Sequence, residues 1–351
     1  MVSEPKRIVF YRIGAIGDII HTLPLLALTR ELNPHAKIEY IIGSNQVAEL
    51  LENYAGYIDK VHAIKHKGIF DKPLRLFPTE DEKDLVQSFK DSPVDEFIYL
   101  HGNQIKAKVL NQRVIKAKKL SIYKRDDSLS AVANYVSSTY PDLKEDLLEN
   151  PYRVLKSNTL KAKKASEDTS SQKKNISIVL GVGALRPTRA YPPIKWVQFI
   201  EYLLASTDYE INILGGPDEA QLSEEFTAML QQRKEALHYG WLEKAPDFSR
   251  INNLIGKTSL LELASILKNT DRLFSADTGI LHIAAALDVP ITSIFSITSE
   301  NRFGPFNKEA KVLRSKNCSC SLSFSNLPKH CQNTCQNYAK CMFDVDLLAI
   351  K

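Results

Sequence analysis

Arg272-Leu273-Phe274-Ser275-Ala276-Asp277-Thr278-Gly279-Ile280-Leu281-His282-Ile283-Ala284-Ala285-Ala286 joins an apolar run to a run of small and apolar residues. The first half reads as a buried strand and the second as a helix. Asp277-Thr278-Gly279 therefore falls where a helix opens, with backbone N–H groups lacking intrahelical partners and a dipole that favours anions. Thr278 adds a hydroxyl, and Gly279 lets a ligand approach the backbone. The same residues also fit a plain strand-to-helix turn with Asp277 as N-cap.

The same strand-to-helix grammar recurs along the chain. Arg7–Tyr11 reads as a strand, Ile19–Leu32 as a helix stopped by Asn33-Pro34, and Lys37–Ile42 as a strand, with Ser44 capping a helix through Leu51. Val61–Ile64 and Glu96–Leu100 read as short strands. Residues 155–175 are polar and almost free of large apolar side chains, as expected of a linker. The alternation restarts with strands at Ile176–Leu180 and Glu210–Leu214 around a helix at Ile194–Leu204. A capping-box helix follows at Ser259-Leu260-Leu261-Glu262, then strands at Arg272–Phe274 and Pro290–Ile297. This βαβ grammar predicts parallel sheets with helices on both faces. The expected organisation is an N-terminal Rossmann-like domain over 1–155, a linker over 156–175, and a C-terminal Rossmann-like domain over 176–351. The stretch 65–95 reads as a strand-connecting insertion with no element assigned to it.

The chain has 351 residues, 44% hydrophobic and 25% charged, with a net charge of +5. That suits a globular protein of two ordinary domains. No apolar run reaches the length of a membrane span, and the N-terminus enters a strand directly, so a cytoplasmic protein is expected. Between His101 and Arg125 there are eight basic residues, among them Lys106 and Arg113, and no acidic one. Such a stretch suits an anionic partner or forms a solvated helix face. It lacks the interleaved aromatics that would favour nucleic acid.

All five cysteines, Cys318, Cys320, Cys331, Cys335 and Cys341, fall in the segment 318–341. In a reducing compartment such clustering points to a metal knuckle or a redox pair, or else to a set of free thiols. The spacing matches no standard zinc pattern.

Two Gly-rich turns follow first strands: Arg12-Ile13-Gly14-Ala15-Ile16-Gly17-Asp18 and Gly181-Val182-Gly183-Ala184. Each sets backbone amides at a sheet's carboxyl edge, where open α/β folds bind ligands. Neither completes G-x-G-x-x-G, which weakens a nicotinamide dehydrogenase with Glu39 as its ribose partner. Asp18 reads as an N-cap or as a general base, with His21 one helical turn on. Arg186 and Arg189 supply fixed cations after the second turn.

Taken in order, Arg12-x-Gly14-Ala15-Ile16-Gly17-Asp18 with Pro24, Arg189-x-Tyr191-Pro192, Gly215-Gly216, Asn253-Leu254-Ile255-Gly256-Lys257-Thr258-Ser259-Leu260 and Asp277-Thr278-Gly279-x-x-His282 resemble glycosyltransferase family 9. These are the ADP-heptose:lipopolysaccharide heptosyltransferases. The resemblance runs from Arg7 to about Pro305. It implies a GT-B architecture of two Rossmann-like domains facing across a cleft, and an inverting, metal-independent transfer of heptose from ADP-heptose to a lipid A–Kdo type inner-core acceptor. It implies Asp18 as the catalytic carboxylate. Gly183, Arg189, Lys257, Asp277, Thr278, Gly279 and His282 would bind the donor, with Asp218 or Glu219 at the ribose. Gly14, Gly17, His21, Lys106 and Arg113 would serve the acceptor. Arg189 falls where most members carry Lys, and Tyr191 where they carry Trp. No cofactor is implied for catalysis. The cysteines resemble a finger of some members that glycosylate autotransporter proteins, which implies a structural iron or zinc and leaves a protein acceptor, or a non-transferase nucleotide-binding protein, as alternatives. A lipid acceptor implies peripheral contact with the inner membrane.

Overall fold

The computed structural model describes residues 5–64, 68–75, 77–161, 175–179, 190–235, 245–296, 298–314 and 342–349. The chain divides into two compact units, Met1–Ala165 and Ser166–Lys351.

In the first unit the strands are β1 (Arg7–Arg12), β2 (Lys37–Ile42), β3 (Lys60–Ala63), β4 (Glu96–Tyr99) and β5 (Lys119–Ile122). All pair in parallel, in the order β3-β2-β1-β4-β5. The helices are α1 (Ile16–Ile20), α2 (Leu23–Leu32), α3 (Asn45–Tyr54), α4 (Glu80–Asp91), α5 (Gln104–Leu110), α6 (Ala131–Thr139), α7 (Lys144–Glu149) and α8 (Pro151–Val154), and a π-helical turn, Asn111–Ile115, follows α5. The inner strands are mostly apolar because both faces are covered, with Arg7 of β1, Glu39 of β2 and Glu96 of β4 as buried charged exceptions. Val9, Tyr11, Ile41, Phe97 and Tyr99 share one core with Phe70, Phe89 and Leu110.

In the second unit the strands are β6 (Asn175–Val179), β7 (Glu210–Leu214), β8 (Ile251–Asn253), β9 (Arg272–Ala276), β10 (Ile291–Phe295) and β11 (Lys311–Arg314). Their order is β11-β10-β9-β6-β7-β8, again all parallel. The helices are α9 (Pro193–Ser206), α10 (Ala220–Glu235), α11 (Leu260–Lys268), α12 (Gly279–Ala286) and α13 (Glu300–Phe303). Trp196 and Phe199 are buried in the core with Ile178, Ile213 and Phe274, as expected of helix-core residues. Two Rossmann-like α/β units are thus present.

The structure settles four points that the sequence misplaced or left open. The helix read as Ile19–Leu32 is two, because Pro24 lacks an N–H and its ring opposes the carbonyl four residues back; α1 ends at His21 and α2 starts afresh with Pro24 in its first turn. The stretch 65–95 holds α4, opened by a capping box of Thr79 and Glu82. Glu39 is not a ribose ligand. It is 1% exposed, bound bidentately by Nε and Nη2 of Arg7 at 2.8 and 3.0 Å, and reached by His62 and Lys37. Burial opposes its ionisation, but the hydrogen bonds from His62, Arg7 and Lys37 outweigh burial and hold its carboxyl well below the usual range. The basic run is engaged in part. Lys106 pairs with Asp71 at 3.1 Å, Lys118 with Asp95, Lys119 with Glu96 and Arg125 with Asp127, while Arg113 donates to the Pro73 carbonyl. Ser44 and the Ser259–Glu262 box cap their helices as expected.

Candidate active site

Each sheet reverses its strand order once, and open α/β sheets bind ligands outside the carboxyl ends of the strands at that point. In the first sheet the reversal lies between β1 and β4. The turn leaving β1 carries Arg12 to Asp18, and the turn leaving β4 carries His101.

Asp18 lies in the first turn of α1, whose N-cap is Ala15, so it is not the cap. Its side chain is 41% exposed, and Oδ2 lies 2.8 Å from Nη2 of Arg12. Arg12 is itself fixed. Nη1 donates to the Leu100 carbonyl at 2.9 Å and lies 3.0 Å from Nδ1 of His101, and its carbon sits 5.8 Å from the centre of the Tyr135 ring. The Ile13 amide reaches Nε2 of His101 at 3.1 Å. A neutral imidazole has one acceptor nitrogen, so it satisfies one of these two donors. Neither neighbour can accept, and an imidazolium would have no partner here. Burial, and then the Arg12 charge, accordingly push His101 down to about 4. His101 also packs on Tyr99 and Tyr11, which stack with centroids 5.0 Å apart.

Gly14 has φ +156°, and a Cβ there would meet Asp18 Oδ2 at 3.4 Å, so glycine keeps the turn open beside the carboxylate. Gly17 lies in α1, where its carbonyl accepts the His21 amide at 2.9 Å. His21 caps the end of α1 and is buried, rather than sharing an exposed face with Asp18. Lys106 and Arg113 fasten the segment 71–73 to α5 and the turn after it.

In the second sheet the reversal lies between β6 and β9. Asp277, Thr278 and Gly279 form the turn leaving β9. The turn leaving β6, with Gly183, Arg186 and Arg189, lies outside the described residues, as do Cys318, Cys320, Cys331, Cys335 and Cys341. The N-cap of α12 is Thr278, not Asp277: Thr278 Oγ1 accepts the Leu281 amide at 3.1 Å and lies 3.2 Å from Ser275 Oγ. The hydroxyl expected for a ligand is therefore engaged in the cap. The amides of Gly279 and Ile280 meet no protein acceptor among the described residues.

Asp277 is 7% exposed. Its Oδ2 accepts from Thr298 at 2.9 Å, and Oδ1 lies 3.5 Å from Nε2 of buried His282. Arg314 holds the segment that bears Thr298, donating to the carbonyls of Ser296 and Thr298.

The turns leaving β7 and β8 are tied together by the Gly256 amide, which donates to the Gly215 carbonyl at 3.1 Å. Gly256 has φ +68°, and a Cβ there would press within 3.2 Å of Pro217. Glu219 is buried and its Oε2 accepts the Gly216 amide at 3.1 Å, so it maintains the turn. Asp218 is exposed, which makes it the better placed of the two for a ligand hydroxyl. Lys257 is exposed, with Nζ donating to the Asn253 carbonyl at 2.9 Å. Asp218, Lys257 and Asp277–Gly279 thus share one sheet edge. Tyr191 belongs to the core: it is 1% exposed, packs edge-on to Trp196 and donates to the Val345 carbonyl at 2.7 Å.

His101, Tyr135, Thr298 and Arg314 are supporting residues that motif reading missed. Each lies far in sequence from the residue it serves, and none has a distinctive local pattern.

The model of the family described as glycosyltransferase family 9 (heptosyltransferase) matches residues 112–332, more than half of the chain. Lipopolysaccharide heptosyltransferase 2 of Salmonella typhimurium is 23% identical over 128 residues, 36% of this chain and 33% of that one, so the chain matches about a third of that relative's length. Lipopolysaccharide heptosyltransferase 1 of the same organism is 20% identical over 342 residues, 92% of this chain and 96% of that one. Among solved structures, a glycosyl transferase family 9 protein from Veillonella parvula superposes with a TM-score of 0.65 at 20% identity, covering 89% of this chain and 87% of that one. With these matches beside two switch-point sites on parallel sheets, the chain belongs to glycosyltransferase family 9, the heptosyltransferase family.

Proposed function

We propose that this protein is an inverting, metal-independent glycosyltransferase that moves heptose from ADP-heptose to a lipopolysaccharide inner-core acceptor of the lipid A–Kdo type. The donor is assigned to the second unit and the acceptor to the first. The observation that carries this reading is Asp18: a part-exposed carboxylate at a switch point, held from behind by Arg12.

A sugar hydroxyl is a poor nucleophile until a base takes its proton. Asp18 accepts that proton as the hydroxyl oxygen bonds to the anomeric carbon, a contribution of about 10²–10⁴-fold. The bond from that carbon to the diphosphate breaks, its electron pair leaves on the phosphate oxygen, and the anomeric centre inverts. The growing charge is met by the Gly279 and Ile280 amides and the α12 dipole, with Lys257 and Arg189 as cations. Asp277 holds His282 and Thr298 in register beside those amides, and Asp218 takes the ribose. The related heptosyltransferases lend support to the donor and acceptor class.

The five cysteines are proposed to hold a structural iron or zinc, since clustered thiolates suit either metal. No group of metal-ligating side chains occurs among the described residues.

The test is a donor screen: sugar nucleotides are offered with a lipid acceptor extract, and nucleoside diphosphate release is read. Release of ADP from ADP-heptose with heptose found on lipid is the expected result. Heptose found on a co-expressed autotransporter and none on lipid would replace the acceptor. Tight NADH binding with indifference to ADP would overturn the transferase.

A further inference from the structure

The first sheet parts at Leu100. The ladder between β1 and β4 is regular up to that point, where the Leu100 amide donates to the Tyr11 carbonyl at 2.9 Å. The next rung of a parallel ladder would run from the Ile13 amide to the Leu100 carbonyl. Instead the Leu100 carbonyl accepts Nη1 of Arg12 at 2.9 Å, and the Ile13 amide turns to Nε2 of His101 at 3.1 Å. Two side chains thus take up the backbone groups that the diverging strands release. The β1 partners in this exchange both belong to the turn that carries Asp18.

His101 is set firmly enough to hold that turn. Its ring packs on Tyr99 and Tyr11, with centroids 5.7 and 5.8 Å away. Both tyrosines are buried and stacked on each other, and the Tyr11 hydroxyl donates to the Phe70 carbonyl at 2.8 Å. The imidazole edge is therefore fixed by packing, with Nε2 toward the Ile13 amide and Nδ1 3.0 Å from Nη1 of Arg12. One side chain from the end of β4 reaches both the backbone of the β1 turn and the cation that steers Asp18. The turn's own residues contribute little. Gly14 follows at φ +156° without a side chain to pack, and α1 opens at Ala15 with no side-chain cap.

We propose that His101 is a positioning residue for the transfer: its ring clamps the turn from Arg12 to Asp18 onto the end of β4 and so sets where the Asp18 carboxylate stands. It acts through Ile13 and Arg12 and is not itself a catalytic residue. The clamp is inferred from hydrogen bonds and packing; that it serves transfer rests on the function proposed above. A shift of roughly 1 Å in a reacting group can cost on the order of 100-fold in rate, so a clamp on the turn matters to turnover.

Two variants of the full chain separate the clamp from simple filling of space. His101→Phe keeps a ring against Tyr11 and Tyr99 but accepts no hydrogen bond, whereas His101→Gln keeps an acceptor and loses the ring. His101→Phe is expected to lower kcat about tenfold or more, with donor KM and ADP affinity unchanged, and His101→Gln to recover most of that loss. In an Asp18→Ala background His101→Phe should cause no further drop, because its effect passes through that carboxylate. Hydrogen exchange at the Ile13 amide reads the clamp without any reaction, and should be faster in His101→Phe than in the wild type. If the Phe variant does not fold, His101→Leu takes its place, since it lacks the acceptor in the same way. Wild-type kcat in the variant without an acceptor overturns the proposal. So does an equal further loss in the Asp18→Ala background, or an Ile13 amide as protected as in the wild type. Absence of transfer by the wild type would sink the function proposed above and leave the exchange comparison to decide the clamp.

Discussion

Oδ2 of Asp18 and Nη2 of Arg12 lie 2.8 Å apart at the end of β1, and Arg12 is held on its other side by the Leu100 carbonyl. The guanidinium is the less exposed partner, at 12% against 41%. The carboxylate is therefore steered by a fixed cation while one oxygen stays available to a substrate.

Replacing Asp18 with Ala should lower transfer by about 10²–10⁴-fold and leave ADP affinity nearly unchanged. Turnover assays paired with calorimetric ADP titration check this. Loss of donor binding in step with turnover would reassign Asp18 to a structural role.

Arg12→Lys should reduce kcat by about tenfold or more, because an ammonium cannot reproduce the planar fork that spans Leu100, His101 and Asp18 while lying over Tyr135. KM for the donor should hold. A variant with wild-type kcat would show that Asp18 needs no steering.

Thr298→Val should weaken ADP binding several-fold, since Asp277 loses its 2.9 Å donor and with it a fixed orientation toward His282. The lost bond to a carboxylate should also cost roughly 1.5–3 kcal/mol of stability. Urea unfolding and ADP titration together separate the two effects.

The folded protein keeps His101 neutral down to about 4, whereas the unfolded chain protonates it near 6.5. The unfolded state then binds more protons across that window, so stability is full above 6.5 and falls as pH drops toward 4. His101→Gln, which still accepts one hydrogen bond, should flatten the curve of unfolding free energy between those values. Glu39, whose carboxyl is depressed, adds its own loss below about 4.5. Glu39→Gln should cost about 3–5 kcal/mol at neutral pH by stranding buried Arg7.

Metal analysis of anaerobically purified protein should find iron or zinc bound to the chain and lost in Cys331→Ser. A metal-free wild type would leave the cysteines as free thiols.

Much of the fold was legible because its signals are local. The strands at Arg7–Arg12 and Glu210–Leu214 are apolar runs, and the caps at Ser44 and Ser259 bond within their own first turn. Local reading failed where two local rules competed. Pro24 broke a run whose apolar spacing looked continuous, and Thr278 took the cap that Asp277 seemed to offer because Asp277 had a distant partner in Thr298.

Sequence alone determined the α/β class, the two-fold alternation about a polar connection, and which turns would carry Asp18 and Asp277-Thr278-Gly279. These follow from side-chain periodicity and backbone stereochemistry over a few residues. Tertiary structure alone decided which charges are free. It spent Lys106, Arg113, Glu39 and Glu219 on internal partners, left Asp18 and Asp218 accessible, and set His101 behind Arg12. The physical reason is that availability of a charge depends on burial and on partners, and for most of these residues the partners arrive from strands or loops tens of residues away.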